Sequence, residues 1–126
     1  MISFEGFKME EGSPIYLQIL RYIKRGVIAG HIENGDELPS RRVLSALLGV
    51  NPNTVQKAYR MLEEEGLISS HLGAKSLMVV DEERIAAIRA ELVEADAKSA
   101  VLGLKQMGLS KADVVALIEK YWEVEE

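Results

Sequence analysis

Between Leu38 and Leu62 the chain carries Arg41, Arg42, Lys57 and Arg60 and not one Asp or Glu. The second half of this stretch, NPNTVQKAYRML, adds two amide side chains, Asn53 and Gln56. At about 100° per residue, Asn53, Gln56, Lys57 and Arg60 share a narrow sector of one helix, opposite Val55, Ala58, Tyr59 and Leu62. Amides can pair with an adenine edge, and cations can reach a guanine edge or a phosphate. That face therefore holds the donors that reading a DNA major groove requires. Asn51, Pro52 and Thr54 open the helix without charge, which lets its backbone approach a phosphate without repulsion. A solvated face with no partner would show the same stripe, so the surrounding elements must decide.

Those elements can be placed from local pattern. Ser13-Pro14 predicts a helix entry with Ser13 as cap. Ile15, Leu20, Ile19, Ile23 and Val27 then form an amphipathic stripe running to about Gly30. HIENGDELPS signals a turn at Asn34-Gly35-Asp36, and Pro39 ends any extended piece. A second helix is expected under a Ser40 cap through Val43, Leu44 and Leu47 to Gly49. The connection Gly49-Val50-Asn51 is so short that the next helix must cross sharply, giving helix-turn-helix geometry. Asn51 as cap and Pro52 as first residue are helix chemistry whatever the function. After Glu63-Glu64-Glu65-Gly66 the runs LISS and SLMVV flank HLGAK, predicting a β-hairpin with its tip at about 72 to 75.

From Asp81 the pattern becomes a long helix with acidic residues at its start. Ile85, Ile88, Leu92 and Ala95 make one apolar stripe, and Val93, Ala97, Val101 and Leu104 make a second. Met107-Gly108-Leu109 breaks it and Ser110 caps a last helix bearing Val114, Val115, Leu117, Ile118, Tyr121 and Trp122. A terminal helix so apolar around its girth needs a cover, and a second copy of the chain is the natural one. The predicted dimerisation set is Ile85, Ile88, Leu92, Val101, Leu104, Val114, Leu117, Ile118, Tyr121 and Trp122. The expected fold is mainly α with a small β-hairpin wing. Residues 1–80 form a winged helix-turn-helix domain and residues 81–126 a two-helix dimerisation unit.

Composition narrows the function. The 126 residues carry a net charge of −5, yet residues 1–80 hold nine basic and nine acidic residues while residues 81–126 hold six and eleven. The acidity belongs to the C-terminal part and conceals the local basic surface. There is no cysteine and there are only two histidines, so disulfides, thiolate metal sites and cysteine nucleophiles are excluded. No metal-ligand cluster, nucleophile-base pair or phosphate-cradling glycine loop is present, and the carboxylates at 63–65 and 81–83 read as solvated stretches. Neither an enzyme nor a cofactor is expected. No run approaches the roughly 20 apolar residues of a membrane span, and Glu5, Glu10 and Glu11 fit no signal-peptide core, so a cytoplasmic location is expected.

Across residues 14–80 the sequence resembles the winged helix-turn-helix domain of the GntR family of bacterial transcription regulators. The carrying residues are Pro14-Ile15-Tyr16 with Gln18-Ile19, Gly35-Asp36 with Leu38-Pro39-Ser40 and Arg42, Leu48-Gly49-Val50, Thr54-Val55, and Glu65-Gly66-Leu67-Ile68. The short C-terminal part and NPNTVQKAY resemble the YtrA subfamily. The resemblance implies that Arg42 contacts backbone or base and that Asn51, Pro52, Asn53, Thr54, Gln56 and Lys57 touch DNA. Arg60, Arg41 one position before the family arginine, and His71, Gly73 and Lys75 on the wing complete the candidate DNA-binding set. The family pattern often has arginine where Pro52 and Gln56 stand, and a second glycine at the wing tip beside Gly73. Base preferences are therefore not carried over, and Lys75 would supply a phosphate contact instead. The implied function is a homodimeric repressor on a pseudo-palindromic operator with half-sites about one helical turn apart, controlling ABC-type transporter genes. Tyr121 and Trp122 could also line a pocket for a small-molecule effector whose chemistry the sequence does not specify. The competing reading is a winged-helix protein-interaction module without specific DNA binding.

Overall fold

The computed structural model describes residues 1–70 and 75–124. Backbone contacts divide the chain into two compact units, Met1–Arg89 and Ala90–Glu126. The boundary falls inside the helical stretch that starts after Asp81, because its first turns, α4 (Glu82–Ile88), pack on α1 (Ile15–Ile28).

Helix α1 does not begin under Ser13. Pro14 occupies the cap position and has no side-chain oxygen to offer. Gln18 takes over the task of fixing the incoming chain: its amide oxygen accepts from the Glu10 backbone N–H at 2.8 Å, and its Nε2 donates to the carbonyls of Glu10 and Ser13. At the next entry the expectation holds. Ser40 Oγ accepts from the Val43 N–H at 3.1 Å and starts α2 (Arg41–Leu48). Gly49 then turns the chain at φ +66°, a conformation that costs an ordinary residue about 1–2 kcal/mol. Asn51 Oδ1 accepts from the Asn53 N–H at 2.8 Å, Pro52 takes the first position, and α3 runs Pro52–Glu64. The turn between α2 and α3 is locked by the Ser45 hydroxyl, which donates to the Val50 carbonyl at 2.6 Å.

The core of the first unit is where the three stripes meet. Ile19, Ile23, Leu44, Val55, Ala58, Tyr59 and Leu62 are fully buried, joined by Leu38, Leu67, Ile68 and Met78. Strands β1 (Ile68–Ser70) and β2 (Ser76–Met78) pair antiparallel, with Ile68 opposite Met78 and Ser70 opposite Ser76. The hairpin tip expected at 72–75 falls, apart from Lys75, outside the described residues. The turn-rich stretch before α2 supplies a third edge: Glu37 bridges Leu77, the Leu38 N–H donates to the Ser76 carbonyl at 2.9 Å, and the Met78 N–H donates to the Asp36 carbonyl at 2.8 Å.

Two further anchors have no periodic signature. The N-terminal residues fold back so that the Ile2 N–H reaches the Glu37 carbonyl at 2.8 Å. Phe4 stacks on Tyr22 at 4.9 Å between centroids, and Phe7 meets that ring edge-on at 5.5 Å. Arg84 ties α4 to the turn after α3, donating from Nε to the Gly66 carbonyl at 2.7 Å and pairing with Asp81 at 2.6 Å. The Arg84 backbone N–H bonded to Asp81 holds that carboxyl below its ordinary range. Gly66 itself sits at φ +74°, and a Cβ there would lie 3.2 Å from Arg84 Nη2. Gly66→Ala is expected to combine backbone strain with displacement of Arg84 and to destabilise the fold by about 1–2 kcal/mol. A thermal melt checks this.

In the second unit, α5 (Glu94–Gln106) and α6 (Lys111–Tyr121) are joined by a turn with Gly108 at φ +85°. Ser110 and Asp113 form a reciprocal capping box at the start of α6. The helix beginning at Glu82 is not uniform: Arg89–Val93 is a π-helical segment. It lies just before the overlap of the two apolar stripes, the first running from Ile85 to Ala95 and the second starting at Val93. Such single-turn π insertions are rare and interrupt the regular 3.6-residue repeat of an α-helix. Among the described residues, no helix is long and apolar enough to cross a membrane.

Candidate nucleic-acid interface

Helix α3 presents two opposed faces. Val55, Ala58, Tyr59 and Leu62 are buried, whereas Asn51, Pro52, Asn53, Gln56, Lys57 and Arg60 are exposed and Thr54 is half-buried. The side chains of Asn53 and Gln56 make no hydrogen bond among the described residues, so their donors and acceptors face outward unspent.

Tyr59 seats this helix. It is fully buried and its hydroxyl donates to the Pro39 carbonyl at 2.6 Å, joining α3 to the residues that lead into α2. Burial pushes the phenol well above its ordinary value of 10.0, and the nearby Arg41 cation only partly opposes this. A neutral Tyr59 is therefore the native form throughout the physiological range.

The cations divide into three kinds. Arg42 and Arg60 are exposed and make no ion pair among the described residues. Lys57 stands 4.0 Å over the ring of Tyr16, near the start of α1, so its ammonium is aimed by a cation–π contact. Arg41 behaves differently from the candidate set in which the sequence placed it. Its guanidinium lies 5.1 Å from the Tyr59 centroid and pairs with Glu63 at 3.3 Å. It points into the joint between α2 and α3, not freely outward.

The wing is described only at its base. Lys75 is largely exposed and 3.5 Å from Glu37. His71 and Gly73 lie outside the described residues. The glutamates that close α3 are more than a solvated run, which corrects the sequence reading: Glu63 accepts from the Ser70 hydroxyl at 2.7 Å, and Glu65 pairs at 2.7 Å with Lys24, whose side chain is buried. Neither Tyr16 nor Glu63 was legible as a site residue. Tyr16 and Lys57, and likewise Arg41 and Glu63, lie on different helices far apart in sequence, and nothing periodic links them.

The proposed dimerisation residues fall into two groups. Ile88, Leu92 and Val114 are buried within the chain, and Ile85, Leu104 and Leu117 are half-buried. Val101, Ile118, Tyr121 and Trp122 are exposed, as is Val115. Between α5 and α6 an apolar cleft of about 490 Å³ is lined by Val101, Leu109, Val114, Val115 and Ile118, with Lys105 and Lys111 at its rim.

Comparison with known proteins agrees with this geometry. The model of bacterial regulatory proteins of the gntR family matches residues 15–74. A GntR family transcriptional regulator from Listeria monocytogenes has a similar solved structure, with TM-score 0.78 and 32% identity over 93% of this chain and 100% of that one. The HTH-type transcriptional regulator YhcF of Bacillus subtilis (strain 168) is 28% identical over 92% of this chain and 96% of its own length. The HTH-type transcriptional repressor YtrA of the same strain is 46% identical over 61 residues, about half of each chain. An acid-free helix face carried on a winged helix-turn-helix, in a chain that matches regulators along nearly its whole length, leaves one assignment: it belongs to the GntR family, as a YtrA-like, DNA-binding transcriptional regulator and not an enzyme.

Proposed function

We propose that the chain is a homodimeric repressor in which α3 of each copy enters a major groove of a pseudo-palindromic operator. The carrying observation is the exposed face of Asn53, Gln56, Lys57 and Arg60, free of carboxylates, in a chain of net charge −5. On this reading Arg42 and the start of α3 hold the DNA backbone, and Asn53 and Gln56 read base edges. Lys75 and the wing residues His71 and Gly73 contribute at the flank. Residues 81–126 serve as the dimerisation region, which the exposure of Ile118, Tyr121 and Trp122 supports. The cleft between α5 and α6 is large enough for a small-molecule effector acting through the dimer. Repression follows the role of the similar B. subtilis repressor YtrA, and control of ABC-type transporter genes follows the subfamily resemblance. Such a protein works in the cytoplasm, where the operator is.

Selection of bound fragments from genomic DNA, followed by affinity measurements across a salt series, tests the whole. A two-fold symmetric site and a steep fall in affinity with salt are expected, because each neutralised phosphate releases counterions. Ile118→Glu places a charge on the exposed face of α6 and is expected to yield a monomer with sharply reduced operator affinity, read by sedimentation and mobility shift. A wild-type monomer, or binding insensitive to salt and sequence, would refute the proposal.

A further inference from the structure

One carboxylate oxygen sits at the meeting point of three elements. Glu63 Oε1, on the last turn of α3, takes the Arg41 Nη2 at 3.3 Å from the first residue of α2 and the Ser70 hydroxyl at 2.7 Å from the end of β1. Ser70 continues the chain across the hairpin to Ser76 Oγ, 3.1 Å away, and Ser76 is buried. The Arg41 Nε is shielded from solvent and has no acceptor among the described residues. With Nε covered and Nη2 committed to Glu63, the side-on edge of the guanidinium is closed to a bidentate partner such as a phosphate.

We infer that Glu63 is a positioning residue for the DNA interface: it holds Arg41 back from the phosphate backbone and uses the same oxygen to set the wing against the helix-turn-helix. The inference rests on the DNA-reading proposal for its consequence, though not for its geometry. A carboxylate at the edge of a DNA-binding face works against affinity through its charge, so its presence there needs a structural return. Fixing Ser70 and Arg41 to α3 supplies that return, adding a side-chain tie to the backbone bonds that hold the hairpin to itself and to residues 35–38. Arg42, next along α2, is exposed and remains the cation available to the duplex.

Two measurements on the intact chain test this. In salt titrations of DNA affinity, Arg42→Met is expected to flatten the slope of log K against log salt by about 0.9, the value of one lost phosphate contact. Arg41→Met is expected to leave the slope unchanged. Glu63→Gln keeps an oxygen that can accept from Ser70 but removes the negative charge that pairs with Arg41, and is expected to steepen the slope by up to about 0.9 as the loosened guanidinium finds a phosphate. In the free protein, amide exchange by NMR at Ser70 and Ser76 is expected to accelerate about two- to tenfold in Glu63→Ala, the loss of one hydrogen bond, and to stay near wild type in Glu63→Gln. A flattened slope in Arg41→Met equal to that of Arg42→Met, or unchanged exchange in Glu63→Ala, overturns the inference. Failure of wild-type DNA binding would instead refute the proposed function, and the exchange measurement would still decide whether Glu63 holds the wing.

Discussion

Asn53→Ala combined with Gln56→Ala is expected to bring the affinities for operator and scrambled duplex close together while leaving non-specific binding nearly intact. Each amide that pairs with an adenine edge contributes about 1–3 kcal/mol of discrimination, or about 5- to 150-fold, against the wrong base. The two side chains stand one turn apart on the exposed face of α3 and have no hydrogen-bond partner among the described residues. Their removal leaves Arg42, Lys57 and Arg60 in place, so the charge-driven part of binding should survive. Competition mobility shifts with operator and scrambled fragments give the ratio directly. Retention of the full ratio in the double variant would remove α3 from the list of base readers.

Tyr59→Ala is expected to be the most damaging single change to the first unit, costing about 4 kcal/mol. A fully buried aromatic side chain replaced by alanine loses its transfer free energy and leaves a cavity, together worth about 3–5 kcal/mol. That is a large share of the 5–15 kcal/mol that holds an ordinary domain together. Tyr59→Phe isolates the hydroxyl, whose bond to the Pro39 carbonyl is worth about 1 kcal/mol. Tyr59→Phe also separates from wild type on pH. The folded state holds the phenol neutral above its ordinary 10.0, so in the unfolded chain Tyr59 ionises first. Its contribution is therefore fully present below pH 10 and is lost as pH rises from there toward the folded value, at about 1.4 kcal/mol per pH unit. Melts of wild type and Tyr59→Phe should show wild type more stable at neutral pH and the two curves crossing about one unit above pH 10. Parallel curves through that range would show that the phenol is not the group responsible.

The sequence placed most of the secondary structure because the signals are local. Ser40 and Asn51 can cap a helix only where their own side chains reach the next turn, and both do so. Gly49 and Gly108 turn the chain because no side chain opposes a positive φ there. The Ser13-Pro14 entry was misread for the same reason in reverse. Ser13 has the right side chain, but the entry is fixed by Gln18 reaching back to Glu10, a contact that the Ser-Pro pattern does not encode. The π-helical segment at Arg89–Val93 also escaped, since two overlapping stripes are equally compatible with a straight helix packed on both sides.

What the sequence determined by itself is the character of α3: which of its sides is apolar, which bears amides and cations, and that no carboxylate interrupts it before Glu63. That follows from helical periodicity, a property of neighbours along one chain. Only the tertiary structure decided what each charge is for. Four cations that look alike in the sequence become one tied to Glu63, one aimed by Tyr16, and two left exposed. The physical reason is that a charge takes its role from whatever lies within a few ångströms of it in space, and those partners come from elements that only folding brings together.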